Sequence, residues 1–396
     1  MIYLDWAASA IPYTDEIEAA YREATAVFAN PSAQHRFGKE ARNMLENARN
    51  RCAAVLGIPA ETLYFTSGAS ESNSLVLLSL LTRPATGSLV ISNIEHPSVR
   101  EQAAVLERCG WTVLTAPADK AGCVTPDAVL HALREDTMLV AIMGVNNEIG
   151  SVQPVHDIAQ ALKAHRDGKR PIHFHADMVQ SIGKLPVGEL GLADVHSASM
   201  SAHKIGGPRG IGLLYLKQPL SSGIRGGSQE RNIRPGTENL AGACALARCL
   251  EKTYTDFQQK FERAGELSRF LIEALSKIPE CSIIPSGRVR VPAALSAAVP
   301  PDSTACPHTF SPWIIQVSFK NVPAEIMTRC LSDRDIFVSA GSACSSKKKV
   351  RPILAAISIS PAIAQNAIRI SIGHSTEKSD IEQFISAVKE IVKDFN

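Results

Sequence analysis

The sequence predicts an α/β protein with a mostly parallel, doubly wound sheet in a large domain and a smaller α+β domain after it. Short apolar runs alternate with amphipathic stretches between about residues 60 and 216, and turn-forming residues bound each run. Strands that alternate with helices in this way favour a parallel sheet covered on both faces. After about residue 250 the pattern changes to long helices with isolated strands, which indicates a second unit.

Seven apolar runs in the first part are predicted strands, because they are short, partly β-branched and bounded by Gly, Pro, Asn or Ser. They are TLYF, SLVIS, WTVLTA, TMLVAIMGV, PIHFH, ADVHSASM and GIGLLYL. We expect the intervening helices at Pro97–Arg108, Pro126–Arg134 and Val155–His165. Ligands of such sheets bind beyond the carboxyl ends of the strands, so the residues after each run are the candidate site residues.

The second part begins with a long helical pattern from about Thr253 to Lys277. A Pro/Gly/Ser-rich patch follows, and we interpret the stretch 288–312 within it as a surface insertion. The strand IIQVSF, a helix from Pro323, the strand AIRISIG and a helix from Glu377 complete the chain. We expect a large domain at residues 15–250 and a small domain at residues 1–14 and 251–396.

Composition excludes several classes of function. Of the 396 residues, 45% are hydrophobic and 20% are charged, and the formal net charge is +2, which is typical of a globular enzyme. Basic residues do not alternate with aromatic ones, so we expect no nucleic-acid partner. The apolar runs are too short to span a bilayer, and the first residues lack a signal-peptide pattern. Nine scattered cysteines without a CxxC pair favour reduced thiols and a cytoplasmic protein.

A phosphate site is one interpretation of FTSGASESNS, which follows the TLYF strand. Hydroxyl and backbone N–H groups of Thr66 to Ser70 stand where a helix is expected to begin. The N-terminus of a helix carries unpaired N–H donors and a positive dipole end, so it suits an anion. Ordinary helix capping by Ser67 or Ser70 explains the same residues equally well.

Lys204 lies between two predicted apolar strands, in SASMSAHKIGGPRGIGLLYL. Most lysines are solvated surface charges. A lysine between two strands of a doubly wound sheet is expected in the crevice of the sheet instead. A partly desolvated amine has a lowered pKa and can form a Schiff base with an aldehyde.

The segment PIHFHADMVQ places His173, His175 and Asp177 on one face of a strand, because side chains alternate along a strand. The three residues could bind zinc or iron; alternatively, Asp177 alone faces the crevice and pairs with a cationic ring nitrogen, or the histidines are simply buried. Spacing does not rank the first two. Pyridoxal phosphate needs an anchoring lysine, a carboxylate and an anion site, and so accounts for both Lys204 and Asp177, whereas a metal leaves Lys204 unexplained.

Cys344 stands among small residues in SAGSACSSKKK, directly ahead of three lysines. Most free cysteines are buried core residues. Glycine and serine neither fill a core nor restrict the backbone, so this segment is typical of a flexible loop. Neighbouring positive charges favour the thiolate, which is the reactive form of cysteine. A reactive thiol is therefore the alternative interpretation.

Ten motifs in order give the chain a resemblance to a known family: YLDWAASA, NPSAQHRFG, FTSGASESNS, EHPSV, VNNEIGSVQP, HADMVQSIGK, SAHKIGGPRGIG, RPGTEN, SAGSACSS and IRISIG. With them the sequence resembles the NifS/IscS-type cysteine desulfurases of the class V aminotransferase superfamily. The resemblance covers nearly the whole chain. It implies pyridoxal phosphate (PLP) fold type I, with a seven-stranded sheet in the large domain and the catalytic cysteine loop in the small one.

The resemblance also implies a role for each matching residue. Lys204 is expected to form the Schiff base, Asp177 to pair with the pyridine nitrogen and Cys344 to carry a persulfide. His96 is expected to stack on the ring and to act in proton transfer. Gln180 is expected to hydrogen-bond the ring hydroxyl oxygen. Further cofactor contacts are implied for Ala69, Ser70, Asn147, Ser201, His203 and, from the partner subunit, Thr237. Substrate contacts are implied for Asn30, Asn147 and Arg369, and no metal is implied.

The activity implied by the resemblance is conversion of L-cysteine to L-alanine, with sulfur passing from a Cys344 persulfide to an acceptor such as an iron–sulfur scaffold protein. The implied active unit is a homodimer. A selenocysteine lyase or a PLP aminotransferase of the same superfamily is the nearest alternative. An interaction protein without turnover and a metal hydrolase are more distant ones. A visible absorption band would separate the PLP enzymes from the hydrolase.

Three positions and one region depart from the pattern of the family. Trp6 replaces an asparagine, Ser70 replaces a threonine with the hydroxyl kept, and Ser228 replaces a glycine. The region 288–312 is longer than usual. We expect Trp6 to affect the pocket entrance and the longer region to affect partner docking.

Overall fold

The computed structural model describes residues 1–166, 170–288, 310–341 and 351–395. Cys344 and residues 289–309 of the predicted insertion lie outside the described residues. Within the described ranges, no helix combines the length and the apolar character needed to cross a membrane.

The strands, in chain order, are β1 (Ile2–Tyr3), β2 (Leu63–Thr66), β3 (Ser88–Ser92), β4 (Thr112–Ala116), β5 (Thr137–Ala141), β6 (His173–Asp177), β7 (Ser197–Ser201), β8 (Gly212–Leu216), β9 (Cys281–Ile284), β10 (Ile314–Phe319), β11 (Ile336–Phe337) and β12 (Ala367–Ser371).

The helices are α1 (Thr14–Ala26), α2 (Arg36–Leu56), α3 (Ala69–Leu78), α4 (Pro97–Arg108), α5 (Pro126–Ala132), α6 (Val155–His165), α7 (Leu240–Tyr254), α8 (Phe257–Leu275), α9 (Ala324–Ser332), α10 (Pro352–Ala356), α11 (Pro361–Gln365) and α12 (Lys378–Asp394).

A seven-stranded sheet in the order β2-β8-β7-β6-β5-β3-β4 forms the centre of the described structure. β8 is antiparallel to both of its neighbours, and the other pairs are parallel. Every strand in it is one of the seven predicted runs, so the mostly parallel α/β sheet is confirmed. Its strands are nearly all buried, as expected for a sheet that helices cover on both faces.

The prediction of a single helix from about Thr253 to Lys277 is wrong at its N-terminal end. Thr253 belongs to the last turn of α7, and α8 begins only at Phe257. Between the two helices Asp256 has φ +51°, in the left-handed region that ends a helix. Apolar periodicity continues across this break, so the sequence pattern does not reveal it.

The second hydrophobic cluster lies outside the large sheet. It joins α8, α9 and α12 to the three-stranded antiparallel sheet β12-β10-β9. Ile2, Leu4 and Ala7 pack into the same cluster, and β1 pairs with β11. The N-terminal segment therefore packs with the C-terminal part of the chain, as the proposed division into residues 15–250 and the remainder requires; the exact boundaries stay a prediction.

The N-terminal segment continues from this cluster to the edge of the large sheet. Asp5 forms a β-bridge with Ser371, and the backbone N–H of Ala7 donates to Ser371 Oγ at 2.9 Å. These contacts hold the carbonyl groups of Ala7 and Ala8 beside the end of β7. The segment thereby becomes one wall of a cavity that opens beyond the carboxyl ends of the parallel strands.

Candidate active site

A cavity of about 550 Å³ lies where β6 and β7 end and where α3 and α4 begin. Ten of the site residues predicted from the sequence line it: Ala69, Ser70, His96, Asn147, Asp177, Gln180, Ser201, His203, Lys204 and Arg369. Asn30 and Thr237 do not line this cavity, and both are exposed in the single chain. Cys344 lies outside the described residues.

Lys204 reaches the cavity from a short 3-10 turn, Ala202–Lys204, that directly follows β7. Gly206 makes this turn possible, because its φ is +78° and a Cβ there would lie 2.7 Å from the ring of Tyr13. The Lys204 amine donates to the carbonyl oxygens of Ala7 at 2.9 Å and Ala8 at 2.8 Å. The lysine is therefore held in the crevice, as predicted, and is not a surface charge.

Asp177 ends β6 and is buried, with both carboxylate oxygens hydrogen-bonded. Oδ1 accepts from the backbone N–H of Val179 at 3.1 Å, and Oδ2 accepts from Asn73 Nδ2 at 2.9 Å. Asn73 Oδ1 then pairs with His175 Nε2 at 2.9 Å, and His175 Nδ1 pairs with Ser197 Oγ at 2.8 Å. Asn73 Nδ2 is the donor to Asp177, so the atom that faces His175 is the amide oxygen Oδ1 of Asn73, which can only accept. His175 Nε2 must therefore carry the proton and donate it to Asn73 Oδ1.

Asn73 is a site residue that the sequence interpretation missed. It stands within the FTSGASESNS motif on the inner face of α3 and is fully buried. Its amide also donates to Ser98 Oγ at 2.8 Å. A buried asparagine requires partners, so polar character on the inner face of a predicted helix was the signal available in the sequence.

The metal interpretation of His173, His175 and Asp177 is not supported. Both ring nitrogens of His175 have protein partners, and His173 Nε2 contacts the hydroxyl of Ser197 at 2.7 Å. Burial lowers the pKa of each histidine to about 3, so both rings are neutral. No group of three or more His, Cys, Asp or Glu side chains in the described ranges could hold a metal ion.

His96 lines the same cavity and is the N-cap residue of α4. Its Nδ1 accepts the backbone N–H of Ser98 at 3.1 Å. Burial lowers the pKa of His96, and the charges of Lys204 and Arg100 lower it further, against an opposing effect of Asp177. The ring is therefore neutral, and because Nδ1 is an acceptor, its proton is on Nε2.

The first turn of α3 faces the same cavity and offers backbone N–H groups. Gly68, the residue before it, packs against Gly212, where a Cβ would lie 2.6 Å from Gly68 Cα. Beside this turn, Ser201 Oγ hydrogen-bonds His203 Nδ1 at 2.9 Å. A cradle of N–H groups, hydroxyls and an imidazole at a helix N-terminus suits a phosphate group.

Glu71 was not foreseen, although it lines this cradle. Its carboxylate accepts the backbone N–H of Ser67, and it forms an ion pair with Arg234 Nε at 3.2 Å. Arg234 belongs to the same RPGTEN motif as Thr237. The pair thus connects the cradle to the segment that carries the exposed Thr237.

Arg369 lies on β12 and brings a guanidinium to the other end of the cavity. Nη1 donates to the Asn147 carbonyl oxygen and Nη2 to Asp5 Oδ1, both at 2.8 Å. The Nε of Arg369 and the Oδ1 of Asn147 are buried and have no hydrogen-bond partner among the described residues. Buried polar atoms without partners are costly, so their presence at a cavity indicates a place for a polar ligand.

The residues at both ends of the segment 342–350 lie close to this end of the cavity. Before the segment, Ser339 and Arg369 exchange backbone hydrogen bonds at 2.7 and 3.1 Å. After the segment, Arg351 Nη2 lies 3.4 Å from the carboxylate of Glu148, the neighbour of Asn147. Arg351 also packs on Gly341, where a Cβ would lie 2.6 Å from Nη2.

The donor set of the cavity fits pyridoxal phosphate. It offers a lysine amine, a buried carboxylate 27 residues earlier in the chain and an anion cradle. It also offers Arg369 Nε and Asn147 Oδ1, polar atoms that lack partners within the described structure.

The profile of the family described as Aminotransferase class-V matches residues 2–300 and 302–384. The chain belongs to the class V aminotransferase family.

Individual relatives of this class V aminotransferase agree with the resemblance stated above. The cysteine desulfurase IscS of Dictyoglomus turgidum is 33% identical over 402 residues, covering 99% of this chain and 94% of the relative. A solved NifS-like protein is 29% identical with a TM-score of 0.86, covering 99% of both chains. SspA in complex with cysteine is 30% identical with a TM-score of 0.75, covering 94% and 99%. The NifS/IscS resemblance and the PLP fold type I are thus confirmed.

Trp6, the departure from the family pattern, does not lie at the entrance of the main cavity, so that expectation is wrong. Its ring is buried beside Gly373, edge-on to the ring of His374 at 4.9 Å between centroids, and its Nε1 donates to the Tyr3 carbonyl at 3.0 Å. It lines a second, small cavity of about 40 Å³ on another side of Lys204. In this class V aminotransferase, Trp6 therefore packs behind Lys204.

Proposed function

We propose that this protein is a PLP-dependent cysteine desulfurase, which converts L-cysteine to L-alanine and takes up the sulfur as a persulfide on Cys344. The observation that carries the proposal is a single cavity that collects Lys204, Asp177 and Arg369. The named activity of the 33% identical relative supports the choice within the family. The bound cysteine in the SspA structure supports the choice of substrate.

The cofactor would be held by Lys204, Asp177 and the cradle at α3. When bound, pyridoxal phosphate supplies an electron sink that stabilises negative charge at the substrate Cα. Asp177 is positioned by Asn73 and Val179 and would keep the pyridine nitrogen protonated. Ser201 and His203 would contact the phosphate, together with the first turn of α3.

The substrate would be oriented by Arg369. A guanidinium can pair with a carboxylate through two parallel hydrogen bonds. The plane of the Arg369 guanidinium is fixed by its hydrogen bonds to Asp5 and to the Asn147 carbonyl. Nε lacks a partner among the described residues, so it is available to a substrate carboxylate.

Two groups in the cavity can move protons during the reaction. The Lys204 amine, when it is not bonded to the cofactor, could accept a proton at Nζ. His96 carries its proton on Nε2, because the lowered pKa keeps the ring neutral, and it could donate this proton into the cavity only while Nδ1, which lies 2.8 Å from Ser98 Oγ, takes up another. Cys344 would attack the substrate sulfur as a thiolate; the carbon–sulfur bond breaks, the sulfur remains on Cys344, and the substrate carbon takes up a proton.

The role of Cys344 rests on the sequence, because the residue lies outside the described structure. Its SAGSACSS motif and the three following lysines support a reactive thiol on a loop. We further propose a homodimeric, cytoplasmic enzyme that passes sulfur to an acceptor such as an iron–sulfur scaffold protein.

The deciding experiment is Cys344→Ser, with Cys109→Ser as its control, because Cys109 is an exposed cysteine far from the motif. The Cys344 variant should keep the visible absorption of bound cofactor but release no alanine from L-cysteine and acquire no persulfide. The control should behave as the unmodified protein. Alanine release at the unmodified rate by Cys344→Ser would exclude Cys344 as the nucleophile. Activity retained only toward L-selenocysteine would instead indicate a selenocysteine lyase.

A further inference from the structure

Lys184 is a buried amine that the proposed reaction does not use. It lies in the turn after β6, and only 5% of the residue is exposed. The turn is held rigidly: the backbone N–H of Gly183 donates to the Tyr254 hydroxyl at 2.9 Å, and the Lys184 carbonyl accepts from Trp313 Nε1 at 2.9 Å. The side chain of Lys184 is therefore directed inward by a fixed backbone.

The surroundings of the Lys184 amine are unfavourable for a charge. No carboxylate lies within ion-pair distance of it in the described part of the chain. Burial lowers its pKa well below the ordinary value, and the charges of Lys204 and Arg369 lower it further. A lysine in such a place costs stability compared with an apolar residue of similar shape. Its presence therefore calls for a reason other than packing.

The contact made by the amine supplies that reason. Lys184 Nζ donates a hydrogen bond to Gln180 Oε1. A glutamine amide has a donor end and an acceptor end of nearly equal shape, so rotation exchanges the two unless a partner distinguishes them. Because Lys184 holds the oxygen, Nε2 is turned toward the Ala7 carbonyl, to which it donates at 3.0 Å.

The Ala7 carbonyl shows where this donor points. It accepts from Gln180 Nε2 and also from Lys204 Nζ at 2.9 Å, so the two donors converge on one oxygen at the cavity wall. In pyridoxal phosphate the aldehyde carbon bonds to the lysine, and the ring hydroxyl is on the ring carbon adjacent to the one that bears the aldehyde. A donor beside Lys204 Nζ is therefore placed to reach that ring oxygen, which is the contact that the family resemblance implies for Gln180.

We propose that Lys184 is a positioning residue, which fixes the side-chain amide of Gln180 so that Nε2 presents a hydrogen-bond donor to the ring oxygen of the cofactor. This inference rests on the proposed function, since it requires that the cavity bind pyridoxal phosphate. Lys184 acts only through Gln180, and so its effect should vanish when Gln180 is absent.

A double-mutant cycle tests the proposal with apo-protein prepared from the full chain. Lys184→Met removes the amine but keeps the length of the side chain, and Gln180→Ala removes the amide. The affinity for pyridoxal phosphate is titrated by absorbance for each variant. Lys184→Met alone should weaken binding by about two- to tenfold, the effect of one hydrogen bond. In the Gln180→Ala background the same change should have no further effect.

The melting temperature of the apo-protein shows whether Lys184 has a positioning role or only a structural one. Lys184→Met should leave the melting temperature of the apo-protein unchanged or raise it, because it removes a buried amine that has no carboxylate partner in the described structure. Weaker cofactor binding by a protein that is no less stable supports the proposal. An unchanged affinity, or an equal loss with and without Gln180, overturns it. If Lys184→Met does not fold, the same cycle is run with Lys184→Leu, which also lacks a donor.

The failure of the proposed function gives a different result. If the unmodified protein binds no pyridoxal phosphate, the proposed function fails before the cycle begins. If it binds the cofactor and the two substitutions are additive, only the role of Lys184 fails. Shifts in the visible absorption maximum of the holo-protein give a second readout, because a donor at the ring oxygen changes the absorption of the cofactor.

Discussion

Asp177 faces the cavity at the end of a row of buried polar residues that continues through Asn73 and His175 to Ser197. The sequence left three interpretations of the HFHAD strand open. It could not choose among them, because Asn73 lies about a hundred residues away in the chain and on another element. The structure favours a cavity-facing Asp177 that Asn73 orients, with buried, neutral histidines behind Asn73.

Lys204 is the residue whose loss should have the clearest effect. Lys204→Met should abolish the visible absorption of bound cofactor and all turnover, because a thioether cannot form a Schiff base. Lys217→Met is the matched control, since Lys217 is an exposed lysine whose amine donates to the Ala193 carbonyl at 3.1 Å and which does not line the cavity. Absorption spectra of both purified proteins check the prediction. A Lys204 variant with the spectrum of the control would contradict the assignment.

Glu95, next to His96, gives a prediction about pH. Its carboxyl group is fully buried, and burial raises its pKa to about 8, against hydrogen bonds from Ser92 and the backbone of Met143. The folded-state pKa lies above that of the unfolded chain, so its contribution to stability is complete below about pH 4.5 and is lost as the pH rises through 8. Wild-type stability should therefore fall with increasing pH in this window.

Glu95→Gln should remove this part of the pH dependence, because an amide does not ionise. Between pH 6 and pH 9 the unfolding free energy of the unmodified protein should fall by about 3 kcal/mol more than that of the variant. Urea unfolding at both pH values measures the difference. Parallel pH profiles for the two proteins would show that Glu95 is already ionised in the folded state.

At the scale of elements, the strands were predictable and the connections were not. Each strand of the large sheet is a short apolar run bounded by turn residues, and this local pattern is visible in the sequence. The loop after β8 has no such pattern. Glu230, Arg231 and Asn232 all have positive φ, from 44° to 66°, in the left-handed region that non-glycine residues rarely adopt. Only contacts with distant elements explain how this loop is held.

The main contact is a buried ion pair between Glu230 and Arg49 of α2. Arg49 Nη2 donates to Glu230 Oε1 at 2.7 Å, and Nη1 donates to Oε2 at 2.8 Å. Oε2 also accepts the backbone N–H of Phe65 on β2. One carboxylate therefore fixes the strained loop to both α2 and β2, and the RPGTEN motif follows directly after that loop.

Glu230→Gln should destabilise the protein by about 3 kcal/mol, because it leaves the buried Arg49 without its main counter-ion. Glu46→Gln is the matched control: Glu46 contacts the same guanidinium, but half of its side chain is exposed, so the expected loss is below about 1 kcal/mol. Urea unfolding of the two variants gives the comparison. Equal losses would mean that burial does not decide the strength of these pairs.

At the scale of the whole molecule, the site combines residues from the N-terminal segment, the large sheet and β12. The order of motifs indicated most of this set, and ten of the residues expected from the resemblance do line one cavity. Glu71, Asn73 and Lys184 were not foreseen, because their importance depends on contacts between elements. Asn30 and Thr237 lie outside the cavity of the single chain, and a second subunit is the proposed reason for Thr237.

Hybrid dimers provide the test of this shared site. If Thr237 completes the cofactor site of the partner subunit, a dimer of one Lys204→Met chain and one Thr237→Asp chain contains one intact site. That site has Lys204 from the second chain and Thr237 from the first. Thr237→Asp homodimers should bind the cofactor poorly, because a carboxylate repels its phosphate.

The two inactive variants are mixed in equal amounts, dissociated and allowed to reassociate. About a quarter of the unmodified activity should then return, since half of the dimers are hybrids and each hybrid has one working site of two. If Thr237 served only its own subunit, each hybrid would hold one site without the lysine and one with the aspartate, and mixing would restore nothing.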